Sequence, residues 1–286
     1  MQTPRHRIFR AAWWTTNFLL AISTLAVIYS GGWEYSVRQY LRGFSAALVP
    51  LNLGSEEKVE SILGWMRYGS PRPLAAHPDQ LALRDPETTL NYKQLLEVCG
   101  TATNAFLNLA RSSGLTARRV LLLTPERTVK HVVAEVQIED RWIVVDPAYR
   151  IIFRDAQGHT LTRRDLQNPS KFAEATRTIP NYPKEYTYET VAHIRLARLP
   201  FHALHMRQFL DGLWPGWDES STWGLLLERE SFFMVVLFSS ATVFFLALRI
   251  LLGWYADRRL HVKRFHLREH VMRAGAAFVN TPEMKQ

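Results

Sequence analysis

Polar residues recur along this chain with different periods, and each period predicts a different element. Two segments have almost no polar period. Residues 11–30, AAWWTTNFLLAISTLAVIYS, carry no charge, and residues 231–255, SFFMVVLFSSATVFFLALRILLGWY, carry only Arg249, near their end. Each meets the ~20 apolar residues that a helix needs to cross a bilayer. A buried core helix rarely runs so long without a polar face. Trp13, Trp14, Trp254 and Tyr255 stand at the segment ends, where an interfacial aromatic belt lies. Arg249 is placed to snorkel.

Between the two spans the pattern turns helical and then alternating. Residues 31–54 predict a short amphipathic stem closed by Pro50 and Gly54. SEEKVESILGWMRYG, 55–69, predicts a helix capped by Ser55, acidic in its first turn and ended by Gly69. The Pro-rich stretch 70–89 predicts a loop. A second helix is expected from Cys99, with Ala102, Ala105, Phe106, Leu109 and Ala110 on one face, Asn104, Asn108 and Arg111 opposite, and Gly114 as the stop. Then come three β-like runs, ARRVLLLT, HVVAEVQI and RWIVVDP, the last two joined by a tight Glu139–Asp140 hairpin. AQGHTLTRRDLQNP predicts a loop and helix, and the alternation in residues 182–199 predicts a late strand. Helices followed by antiparallel strands give an α+β class.

Charge adds topology. The formal net charge is +9. Arg5, Arg7 and Arg10 precede the first span, and seven basic residues against three acidic ones follow the second. With Arg249, this leaves only +1 of the total +9 for residues 31–230. The basic surplus is therefore a topology signal and not a nucleic-acid footprint, with residues 1–10 and 256–286 expected as cytoplasmic tails and residues 31–230 outside, as in a protein of a bacterial inner membrane. The tail from 256 predicts a basic helix on anionic lipid, and the acidic, Trp-rich stretch before the second span suits the outer interface. A cleaved signal peptide would need a small-x-small site after residues 11–30, and Ile28 stands where a small residue is wanted, so an uncleaved anchor is expected.

Composition also limits the chemistry. A single cysteine, Cys99, excludes an intramolecular disulfide and a thiolate zinc site. No phosphate-binding glycine loop is visible, and neither a cofactor nor a metal is expected. His202 with His205, and His266 with His270, have ligand spacing without carboxylates beside them.

The lone thiol needs another reason. At a helix N-terminus its pKa falls, and Gly100 leaves room for a carbonyl beside it. His131 opens one strand and Asp146 closes the next. With the hairpin centred on Glu139 and Asp140, opposite residues sum to 279, so both side chains share a sheet face, with Asp146 one diagonal step from His131. The cysteine helix, packed on that same face, would bring nucleophile, base and orienting carboxylate together.

These residues and their surroundings resemble the transglutaminase-like superfamily, whose pattern is Cys on a helix, then G-[IL]-x-A-R, H-x-W-x-E-V and W-x-x-x-D-P. Here GLTAR spans Gly114–Arg118, HVVAEV carries His131, Glu135 and Val136, and WIVVDP carries Trp142, Asp146 and Pro147. The resemblance is strong over residues 90–150. It departs at Val133, where the family commonly has an aromatic. It implies a papain-like fold, with a helix packed on an antiparallel sheet, and catalytic Cys99, His131 and Asp146. The expected protein is a membrane-anchored cysteine protease, amidase or acyltransferase acting on peptides or proteins, with Tyr92, Gln94 and Trp65 as candidate oxyanion donors. The rival expectation is a catalytically silent scaffold of an envelope or polysaccharide-export assembly.

Overall fold

The computed structural model describes residues 4–69, 74, 77, 81–126, 128–194, 208–210, 212–215, 217, 224, 226 and 228–260. The chain divides into two compact units, residues 27–237 and a second unit formed by residues 1–26 with 238–286. Both paired-histidine motifs lie outside the described residues, as does the tail beyond residue 260. Among the described residues, two helices are long and apolar enough to cross a membrane, Arg5–Leu48 and Glu230–Leu260. In the second unit the Arg249 guanidinium stands 5.8 Å from the Trp13 ring centroid, close enough for a cation–π contact.

The first helix, α1 (Pro4–Leu48), continues through the predicted stem without a break. Val37 and Leu41 on its stem portion are buried in the domain core. Helix α2 (Ser55–Tyr68) follows, but its N-cap is Gly54 and not Ser55. The Glu57 carboxylate accepts from the Gly54 N–H at 2.9 Å, so an acidic side chain in the first turn does the capping. The expected loop ends early. Asp85 caps a short helix, α3 (Pro86–Asn91), with its carboxylate accepting from Thr88 N and Pro86 in the first helical position. A 3-10 turn, Lys93–Leu96, then leads into α4 (Cys99–Ser112).

Helix α4 is buried all round from Thr101 to Ala110. The apolar face packs as predicted, but the asparagine face is not solvated, because Asn104 and Asn108 are 2% and 0% exposed. The helix stops at Gly114, φ +84°, where Leu115 N donates to Ala110 O and Gly114 N to Arg111 O. That is a Schellman stop, and only glycine takes its left-handed position without strain.

The sheet has the order β4-β3-β2-β1-β5, all pairs antiparallel, built from β1 (Ala117–Leu123), β2 (Val129–Ile138), β3 (Arg141–Asp146), β4 (Ile151–Ile152) and β5 (Val191–Ala192). The β2–β3 register pairs Ala134 with Val145 and Ile138 with Arg141, as the hairpin centre requires, and Glu139 takes φ 54° in the turn. Between β4 and β5 lie α5 (Arg163–Leu166) and α6 (Pro169–Thr176). The predicted late strand shrinks to Val191–Ala192, and residues 195–199 of it lie outside the described residues. The tyrosines before it fold inward as a cluster, and so they do not extend along the sheet edge.

Two cores lie on opposite faces of the sheet. Ala134, Val136, Ile143 and Val145 pack on α4, α2 and the stem of α1. Val120, Val133 and Val144 pack on Phe153, Phe172, Tyr182 and Tyr188. The last described helix, α7 (Glu230–Tyr255), ends in a π turn, Ala256–Leu260.

Candidate active site

Position along β2 decides what each side chain meets. Residues 132, 134 and 136 face α4, so His131 and Val133 face the tyrosine core. Helix α4 therefore packs on the face opposite His131, contrary to expectation, and the thiol has to reach the imidazole around an edge. Two features make this possible. The β2–β3 ladder runs only from Ala134 to Ile138, which leaves the start of β2 without a partner on that side. Thr103 of α4 takes up the place, its hydroxyl donating to Val132 O at 3.0 Å. The β1–β2 register also shifts between Leu122 and Leu123, opposite His131 and Val129, and such a bulge re-aims the side chain beside it.

The result brings the three predicted residues together. His131 Nε2 lies 2.7 Å from Asp146 Oδ2, with the two side chains 3% and 0% exposed. Cys99, half-buried, lies beside the same imidazole, and each shifts the other's pKa. With Nε2 engaged by the carboxylate, Nδ1 is the nitrogen left for the thiol. The hydrogen bond from His131 is the largest influence on the thiol and pulls its pKa down, against burial, and the backbone at Val132 and Gly100 pulls the same way. Burial alone would push the imidazole down. The hydrogen bonds with Asp146 and then Cys99 outweigh it and raise His131 to about 9. Both shifts run in the direction of a thiolate–imidazolium pair.

Asp146 is fixed from both sides. Its Oδ1 accepts from Ala148 N at 3.1 Å and Tyr149 N at 3.3 Å, an Asx turn around Pro147. Its Oδ2 accepts from His131 and from the Tyr182 hydroxyl at 3.0 Å. Gly100 has no protein atom within 4 Å of where a Cβ would stand, so the fold does not demand glycine there and the space beside the thiol is open.

Further aromatic residues join the site, among them tyrosines whose sequence pattern favours strand packing over a groove. Tyr186 stacks on His131 with ring centroids 4.3 Å apart and planes 5° from parallel. Tyr149 meets the same imidazole edge-on at 6.1 Å. Tyr182 and Tyr188 wall the far side and line a cleft of about 680 Å³ with Phe172, Ile179 and Gln167. Burial raises the pKa of both phenols, so they stay protonated, Tyr182 as a donor to Asp146. Val133 is fully buried in this aromatic cluster, where Tyr182 and Tyr188 supply the rings. The sequence signal was the spacing of Tyr182, Tyr186 and Tyr188, which reads equally as strand alternation.

The other motif residues brace the sheet. Arg118 Nε donates to Glu135 Oε2 at 2.7 Å and its guanidinium lies 4.1 Å from the Trp142 ring centroid. A second buried polar group sits at the opposite side of α4. Arg229 bonds Glu34 Oε1 at 2.8 Å and Asn108 Oδ1 at 2.8 Å, Ser231 donates to Glu34 Oε2 at 2.7 Å, and Asn104 Nδ2 donates to Glu228 O at 3.0 Å. Glu228 itself is paired with Arg111. Glu228 and Arg229 are therefore core residues and not part of a solvated outer interface. Among the described residues, no group of three or more His, Cys, Asp or Glu side chains is placed to hold a metal ion.

Residues 46–147 match the family model of the transglutaminase-like superfamily. No curated protein and no solved structure matches the chain.

Proposed function

Because the chain carries a transglutaminase-like domain, we propose that it is a membrane-anchored thiol enzyme that opens amide or ester carbonyls of peptides or proteins, with Cys99 as nucleophile, His131 as base and acid, and Asp146 as the orienting carboxylate. The observation that carries this is the 2.7 Å link between His131 Nε2 and Asp146 Oδ2, with the Cys99 thiol beside the same imidazole. The thiolate adds to the carbonyl carbon. Collapse breaks the C–N or C–O bond, and the imidazolium Nδ1–H passes its proton to the departing amine or alcohol. Water or a second amine then attacks the thioester, His131 takes its proton, and the thiolate leaves. Hydrolysis or acyl transfer follows from which of these enters.

The oxyanion needs donors. Of the three candidates, Trp65 packs edge-on against Phe44 of the stem, and Tyr92 ends α3. Gln94 stands on the turn entering α4, its Oε1 buried without a partner, and an amide turned end for end presents Nε2 at that place. We assign this role to Gln94. The charge asymmetry supports tails in the cytoplasm and the domain outside, at the periplasmic face of a bacterial inner membrane.

Two measurements test the reading. Intact protein is mixed with an activated acyl ester, and peptide mapping should find a thioester on Cys99 that hydroxylamine releases as the hydroxamate. Cys99→Ala should give no adduct. Failure of the wild-type thiol to acylate would leave the scaffold reading in its place. Because Cys99 is the only cysteine, a membrane-impermeant maleimide applied to intact spheroplasts also reports sidedness. Labelling only after lysis would reverse the orientation.

A further inference from the structure

The catalytic imidazole has a neighbour that the triad does not explain. Tyr186 lies flat on His131, with 4.3 Å between centroids and 5° between planes, while Tyr149 touches the ring only edge-on. The segment that carries Tyr186 is pinned on both sides. Tyr182 donates to Asp146 Oδ2, Tyr188 is fully buried, and Lys130 Nζ donates to Glu185 O at 3.2 Å. Lys130 adjoins His131 in β2, so the tether joins the two rings through the backbone next to each. Tyr186 itself is half-buried, at the rim of the aromatic core and edge-on to Tyr182 at 5.8 Å. Of these ring contacts only the one with His131 is a parallel stack.

The face of a phenol ring carries partial negative charge and attracts a cation within about 6 Å. An imidazolium beneath it gains, and a neutral imidazole gains less. The stack also blocks one face of the ring, which opposes rotation of the imidazole out of the line from Asp146 to Cys99.

We propose that Tyr186 is a positioning residue that holds His131 in its charged, in-line state, and so sets the fraction of Cys99 present as thiolate. This rests on the thiol–imidazole pair proposed above. Tyr182 acts one step further back, by fixing the carboxylate that His131 faces.

The test uses the sole cysteine as its own reporter. The full-length protein in detergent is alkylated with iodoacetamide from pH 4 to 10, in wild type, Tyr186→Phe, Tyr186→Leu and His131→Ala. The midpoint of the profile reads the thiol's ionisation, and the high-pH plateau reads access. Tyr186→Phe keeps the stack and should overlay wild type. Tyr186→Leu should move the midpoint upward and slow alkylation on the acid side roughly three- to tenfold, from the strength of a partly desolvated cation–π contact, with the plateau unchanged or higher. If Tyr186→Leu does not fold, Tyr186→Met replaces it. A Leu or Met profile that overlays wild type overturns the proposal, as does a Phe profile that shifts with them. If His131→Ala overlays wild type, it is the thiol–imidazole pair that fails. If His131→Ala shifts and Tyr186→Leu does not, only the role of Tyr186 fails.

Discussion

Replacing Asp146 by asparagine keeps its shape and reverses one end of its hydrogen bonding. The carbonyl of the amide must stay with Ala148 N and Tyr149 N, because turning the NH₂ toward them would oppose donors to donors. The NH₂ then faces Tyr182 and His131 Nε2. The tyrosine hydroxyl can rotate to accept. The imidazole can accept only if Nε2 is bare, which puts its proton on Nδ1, toward the thiol. A ring in that tautomer cannot take the thiol proton. The imidazolium loses its main support, and burial, which already opposes the charge, then dominates. A fall from about 9 to the ordinary 6.5 or below corresponds to at least ~3 kcal/mol, or about 10²-fold in the ion pair. A serine triad loses about 10⁴-fold on the corresponding change, and a thiol, being partly ionised by itself, should lose less. The assay is acylation rate from an activated ester together with the alkylation profile against pH. Acylation should fall ~10²-fold near neutral pH and the alkylation midpoint should rise, while thermal unfolding changes little. A profile that overlays wild type, with His131→Ala shifted, would remove Asp146 from the mechanism and leave a two-residue site.

Other outcomes follow from the same geometry. Turnover should be bell-shaped in pH. The lowered thiol places the acid limb below the ~8.5 of a free cysteine, and the raised imidazole places the basic limb near 9. Acyl-transfer rates across pH check this, and a single rising limb at ~8.5 would contradict it. Thr103→Val removes the hydroxyl that satisfies Val132 O and should lower stability by about 1–2 kcal/mol in denaturant titration. Arg229→Met leaves the buried Glu34 with only Arg38 and Ser231 and should cost about 3 kcal/mol, read as a lowered Tm in detergent. An unchanged Tm would mean that the stem is not a structural part of the domain.

Much of this was visible in the residues. The hairpin centre fixed the pairing of β2 with β3, because a slip by one would turn Val132, Ala134 and Val136 away from α4. The stop at Gly114 was equally local. The packing face of α4 was not legible, since it depends on where β3 ends relative to β2, and no residue announces that. The tyrosine segment misled for a related reason. Tyr182, Tyr186 and Tyr188 keep an even spacing, and only contact with Asp146 and His131 shows that they fold inward. Two signals were present and passed over. Asp85-Pro86-Glu87 carries cap, first-turn proline and acidic residue in order. Two asparagines four apart, opposite the apolar face of the helix, can mark a buried hydrogen-bond site as readily as a polar surface.

The knot formed by Glu34, Asn108, Arg229 and Ser231 has a consequence for how this domain can travel. The family match begins at residue 46 and ends at 147, so three of the knot's four members lie outside the recognisable core, on the stem and at the root of α7. Cutting the core free would take the Glu228 carbonyl from Asn104 Nδ2 and both Arg229 donors from Asn108 Oδ1, leaving that oxygen buried without a donor at a loss of about 1–3 kcal/mol. The domain is therefore not a cassette that could be moved intact to a secreted chain. Any lineage, or any engineer, that separates it from its two long apolar helices must first repaint the back of α4 with apolar side chains.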